Sequence, residues 1–169
     1  MAIGSSAVCG SYKKEIQAGI HRWTTASRGD SSSISADTFK VAMFTDSATI
    51  DADTTGYTTS NEVTGTNYTA GGVALGSVTL TLGDNSSAVP TAYLDFADST
   101  WSSSTISSAM GALIYNSSLS GASTGGTTNA AAYPAVAMFD FSSAKSSSAG
   151  DFTIQWPAND ANNAAIRIA

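Results

Sequence analysis

Apolar side chains recur at every second position in several short stretches of the chain, the spacing of a half-buried β-strand. Residues 38–45 place Phe39, Val41 and Met43 on one side, with Phe44 marking where the chain leaves the sheet. Residues 91–96 turn Ala92, Leu94 and Phe96 inward and Tyr93 and Asp95 outward, and residues 151–156 alternate Phe152, Ile154 and Trp156 with Thr153 and Gln155. In residues 73–82 the phase changes: Val73 and Leu75 are odd, whereas Val78, Leu80 and Leu82 are even. A one-residue slip turns every following side chain to the opposite face, so Gly76-Ser77 must hold a bulge or a crossing between sheets. The turn Gly83-Asp84-Asn85 follows. Residues 165–169 close the chain with Ile166 and Ile168 on one face.

Residues 109–115 (Ala-Met-Gly-Ala-Leu-Ile-Tyr) are among the most apolar runs and read as a buried central strand. The natural antiparallel neighbour is 135–141, because the intervening 116–129 is small, polar and glycine-bearing, as a hairpin loop should be. Trp101 and Ile106 sit in a serine-rich approach to the central strand, and 142–150 reads as a loop. A helical period occurs once, over residues 11–24, where Tyr12, Ile16, Ile20 and Trp23 fall on one face. Gly19 weakens that helix by roughly 1 kcal/mol relative to alanine, so it depends on docking against the sheet or a neighbouring subunit.

Seven or eight short strands separated by turn signals, with one short N-terminal helix, predict an all-β fold, an antiparallel β-sandwich of immunoglobulin-like or jelly-roll type. The division expected is an N-terminal arm and helix over 1–37 and a sandwich domain over 38–169. Between the strands, 46–72 is a long Thr-, Asp- and Gly-rich passage anchored by Tyr57, Val63 and Tyr68. A loop of that length usually covers a sheet edge or reaches a partner.

Composition sharpens this picture. The chain has 169 residues, is 42% hydrophobic and only 12% charged, and Ser and Thr make up nearly three in ten. That is enough apolar content for one core, under a hydroxyl-rich surface. The net charge of −6 and the scattered basic residues argue against binding a nucleic-acid backbone. No apolar run approaches the ~20 residues of a membrane helix. The start lacks the pattern of a secretory signal. A soluble product made in a cytoplasm is therefore expected. Cys9 is the only cysteine, so no internal disulfide forms.

Candidate chemistry is sparse. His21 is the only histidine, and no Gly-x-Ser-x-Gly elbow accompanies it. Glu62, Asp98 and Asp140 are acids to weigh for glycan hydrolysis, but carboxylates near strand ends usually bond to turn amides. Asp51, Asp53, Thr54 and Thr55 match no calcium-loop spacing. Arg28-Gly29-Asp30 forms an adhesion-like tripeptide in a polar loop. Exposed Tyr57 and Trp101 would suit a glycan-stacking face, although packing in the core is the commoner use of such rings. No catalytic residue, cofactor or metal is expected.

Several phrases together resemble a family of small virion proteins of tailed bacteriophages, including phages of cyanobacteria. They are Thr-Phe-Lys-Val-Ala-Met-Phe-Thr at 38–45, Thr-Asn-Tyr-Thr-Ala-Gly-Gly at 66–72, Asp-Phe-Ala-Asp-Ser-Thr-Trp at 95–101, Gly-Ala-Leu-Ile-Tyr-Asn at 111–116, Gly-Asp-Phe-Thr-Ile-Gln-Trp-Pro at 150–157 and the closing Ile-Arg-Ile-Ala. The resemblance implies a structural component of the particle, made in the bacterial host cytoplasm and located in the virion, with no cofactor. The leading expectation is an outer capsid decoration, or cement, protein bound to the major capsid protein or other virion subunits. Capsid additions often occupy threefold positions, so a homotrimer is the expected oligomer by analogy. Tyr12, Ile16, Ile20 and Trp23 are its candidate partner contacts. The alternatives are a tail or head-to-tail part, or a tail or fibre module that binds host-surface carbohydrate through Tyr57 and Trp101.

Overall fold

The computed structural model describes residues 3–27, 33–121 and 132–169. In chain order the elements are β1 (Ala7–Val8), α1 (Gly10–Gln17), β2 (Ala26–Ser27), β3 (Ser33–Ile34), β4 (Phe39–Phe44), β5 (Gly65–Thr66), β6 (Val73–Ala74), β7 (Gly76–Asp84), β8 (Pro90–Ala97), β9 (Ser99–Asn116), β10 (Ala135–Ile154) and β11 (Ile166–Ile168). The larger sheet runs β1-β10-β9-β4-β6, with β5 also pairing β9. The smaller runs β11-β8-β7, and β2 and β3 form a short hairpin. Every described pairing is antiparallel. The result is an antiparallel β-sandwich with one short N-terminal helix, as the alternation predicts. No helix among the described residues is long and apolar enough to cross a membrane.

The apolar end of β9 is the centre of the larger sheet. Leu113 lies opposite Ala42 on one side and Met138 on the other, and Ile114 opposite Val41 and Ala137. Residues 112–115 are all buried. A strand covered on both faces has no need to alternate, which is why this stretch reads as a continuous apolar run. Phe44 is the last residue of β4 and is fully buried, so the chain leaves the sheet where the sequence suggests.

The phase change at Gly76-Ser77 is a crossing between sheets. The Leu75 N–H still donates to Phe39 of the larger sheet, whereas Gly76 opens β7 in the smaller one. Ser77 has a φ of 49°, and the β7–β8 register shifts between Gly76 and Thr79.

Two expectations change. The serine-rich stretches 99–108 and 142–150 are strand, so that β9 and β10 form one long two-stranded ribbon. Hydroxyls complete the ladder where its register shifts. Ser147 Oγ accepts the Ile106 N–H at 3.2 Å, Ser146 Oγ that of Ser108 at 3.0 Å and Thr105 Oγ1 that of Ala149 at 3.0 Å. Short polar side chains offer the backbone a local partner in this way, which lets a bulged ribbon persist without apolar alternation.

The helix also ends at Gln17, short of residue 24. Gly19 adopts a φ of +70°, its N–H donates to the Ile16 carbonyl and the Ile20 N–H to that of Glu15. This is a Schellman termination, which favours glycine at that position. Beyond it the chain turns back, and Trp23 enters the space between the sheets. Its ring stacks on Phe39 of the larger sheet, with centroids 3.5 Å apart, and lies 5.8 Å from Phe96 of the smaller. The N-terminal stretch read as an arm is thus built into the sandwich, with β1 as a sheet edge and Trp23 as core.

Candidate functional site

Three places bring polar chemistry or apolar surface together. The first is the corner beneath α1. The His21 side chain is fully buried, its Nε2 lies 2.7 Å from Glu15 Oε2, and its Nδ1 is 3.2 Å from Asn116 Nδ2. Asn116 Nδ2 can only donate, so Nδ1 accepts and Nε2 carries the proton toward Glu15. Asn116 Nδ2 also reaches Asp37 Oδ2 at 2.8 Å, and that oxygen accepts the Arg22 N–H at 3.0 Å. Burial lowers the His21 pKa, against the opposing pull of Glu15 and Asp37. Beside it the Trp23 indole N–H donates to Tyr12 Oη at 2.7 Å, and burial pushes the Tyr12 hydroxyl up to about 12.

The second place folds the 46–72 passage onto the larger sheet. Glu62 is buried and accepts three hydrogen bonds: Tyr57 Oη at 2.6 Å, Tyr68 Oη at 2.7 Å and the Gly71 N–H at 2.8 Å. Tyr68 Oη in turn accepts the Met43 N–H of β4 at 2.9 Å, and Tyr115 Oη donates to the Gly71 carbonyl at 2.7 Å. Burial raises the hydroxyl pKa of Tyr57 and of Tyr68, reinforced by hydrogen bonding to Glu62. Burial brings Tyr115 to about 12, with the Glu62 charge adding to it. The carboxylate ties Tyr57, Tyr68 and Gly71 of this one passage together, and Tyr68 carries the tie on to β4. Tyr57, Val63 and Tyr68 are the anchors that the sequence predicts, but nothing in it brings Glu62 to them, because the three polar positions follow no period.

The third is an apolar overhang of the smaller sheet. Leu80, Leu94 and Ile166 form one cross-strand row and Leu82, Ala92 and Ile168 the next. Leu94 and Ile166 are buried, but Leu80 is 50% exposed, Leu82 73% and Ile168 45%. A groove of about 200 Å³ runs between this row and the helix, lined by Ile16, Trp23, Leu80 and Ile168 among others.

The expected contacts fare unequally. Tyr12 and Trp23 are buried in the chain's own core and reach the groove only by their edges, because the helix ends before Trp23 could extend its stripe. Ile16 and Ile20 are part-buried. Trp101, the expected glycan platform, is 3% exposed, covered by Tyr68 and Phe152. Tyr57 stacks on Tyr115 with centroids 4.3 Å apart and meets Tyr133 edge-on. Trp101 thus has no free face for sugar stacking, and part-buried Tyr57 has one face taken by Tyr115.

Asp98 and Asp140 accept the backbone N–H groups of Trp156 and Ser142, the turn and loop role expected of them. Asp51 accepts the Asp53 N–H within its own turn. No group of three or more His, Cys, Asp or Glu able to hold a metal occurs among the described residues. Cys9 is buried, which raises its thiol pKa to about 12 and keeps it unreactive. Arg28-Gly29-Asp30 lies outside the described residues. No protein-family model, curated protein or solved structure matches the chain.

Proposed function

We propose that this chain is a structural subunit of a tailed-phage virion, acting as an outer capsid decoration protein that adds contact area where capsomers meet and performs no catalysis. The carrying observation is how its strongest acid–base groups are used. The sole histidine and both glutamates are committed to internal bonds, Glu15 with His21 and Glu62 with Tyr57, Tyr68 and Gly71. That leaves shape, a hydroxyl-rich exterior and an apolar overhang as what the molecule presents to a partner. The phrase-level resemblance supplies the kind of partner, the major capsid protein or other virion subunits. A low-charge, hydroxyl-rich surface tolerates the outside of a particle and has no affinity for packaged DNA.

The fibre-module alternative loses support because Trp101 is buried under neighbouring rings and Tyr57 is stacked on Tyr115 and bonded to Glu62. The test is cryo-electron microscopy of the intact particle, combined with re-addition of purified chain to particles that lack it. Stoichiometric copies on the outer icosahedral lattice are expected. Density confined to the tail or neck would reassign the protein to the tail or connector, and absence from any particle would overturn the proposal.

A further inference from the structure

We propose that two copies of this chain pair through their β7 edges, antiparallel about a two-fold axis at Leu80, joining the two smaller sheets into one six-stranded sheet. β7 is nine residues long and ends the smaller sheet, and among the described residues no strand pairs with its outer side. An edge of this length is a template for another strand, and proteins that stay monomeric blunt such edges with charge, proline or bulges. The free side of β10 carries these defences: Asp140, Lys145 and Asp151 and repeated register shifts. The outer strands β1 and β6 are two residues each. The register shift of β7 is confined to its start, between Gly76 and Thr79, and from Thr79 to Gly83 the strand has no charge, no proline and no shift.

The sequence of β7 identifies the occupant as a second copy. Val-Thr-Leu-Thr-Leu from 78 to 82 is nearly palindromic about Leu80. Antiparallel self-pairing in that register sets Leu80 against Leu80 of the partner copy, Thr79 against Thr81 and Val78 against Leu82. Every pair thus matches in kind and lies on one face, as an isologous two-fold contact requires. Asp84 falls opposite Gly76 at either end, so the two Asp84 carboxylates lie about 26 Å apart at ~3.3 Å per residue.

The exposed side chains of the strand itself add to the ladder: Leu80 is 50% exposed and Leu82 73%, and the pairing sets them against Leu80 and Val78 of the second copy, covering apolar surface that the monomer leaves to water. The inference concerns the isolated chain and does not rest on the virion reading.

Sedimentation velocity on the full chain tests it. A monomer–dimer equilibrium is expected below about 200 µM, and Leu80→Lys, which sets two ammonium groups face to face, should weaken it at least about tenfold. Leu80→Cys should form a disulfide-linked dimer under mild oxidation, because the only native cysteine is buried. Thr79→Cys, diagonal to its own copy in this register, should not. A chain that stays monomeric, a dimer indifferent to Leu80→Lys, or cross-linking at Thr79→Cys in place of Leu80→Cys would overturn the pairing, including the case in which the overhang docks only to a capsid.

Discussion

At His21 the proton has a fixed address. A second proton would have to sit on Nδ1, which faces the Asn116 amide donor, in a site from which water is excluded. Burial therefore lowers the folded-state pKa below the ordinary value despite the adjacent Glu15. The unfolded chain binds the proton more readily, so the stabilisation is fully present above about pH 6.5 and is lost as the pH falls toward the lowered folded value. Urea midpoints measured between pH 7.5 and 5 should fall for the wild type, and His21→Gln should flatten that slope. An identical slope in the variant would assign the acid sensitivity elsewhere. Glu62 makes a sharper case. Glu62→Ala strands two tyrosine hydroxyls and the Gly71 N–H, which should cost roughly 2–4 kcal/mol in urea unfolding. Tyr68→Phe, which keeps the packing and orphans the Met43 N–H, should cost about 1–2 kcal/mol.

At the scale of elements, the β9–β10 ribbon is held across its irregularities by side-chain hydroxyls. Ser147 Oγ meets the Ile106 N–H and also Ser104 Oγ at 2.8 Å. Ser147→Ala should destabilise by about 1–2 kcal/mol and speed amide exchange at Ile106. Unchanged exchange there would show that the hydroxyl is not what closes the ladder. These strands also show where sequence reading stops. A continuous apolar run finds the central strand, the turn-like stretch after it finds its partner, and a change of period-two phase finds the break at Gly76, because burial on one face or two writes itself into side-chain polarity. It misses residues 99–108 and 142–150, where hydroxyls complete the ladder and no apolar period is needed. The 11–24 helix fails for a different reason: Trp23 does keep the helical spacing, but Gly19 offers a left-handed termination and tertiary packing on Phe39 takes the ring. The Glu62 cluster was legible only as its tyrosine anchors. The Leu80–Leu82 row was legible as strand, but its exposure depends on how far the helix layer reaches beneath the small sheet.

For the molecule as a whole, the question is whether residues 1–24 form a detachable docking arm or part of the folding unit. Gly4 and Gly10 donate to the Ile50 and Ala52 carbonyls, Cys9 donates to Val136, and Ala7 and Val8 pair with Met138 and Ala137. Tyr12 and Trp23 fill the gap between the sheets, where loss of a large aromatic side chain costs about 3–5 kcal/mol by itself. A domain stabilised by only about 5–15 kcal/mol cannot lose that segment and keep a packed core. Deletion of residues 1–24 should therefore abolish the near-ultraviolet circular dichroism of the buried aromatics and the cooperative thermal transition. Ile16→Ser, at a part-buried position on the groove, should leave both nearly intact. This pair separates structure from docking: if the deleted chain folds cooperatively, the segment is an arm after all. If it collapses while Ile16→Ser stays folded, any loss of particle binding by the deletion reports the core, and the point variant becomes the instrument for locating the contact surface.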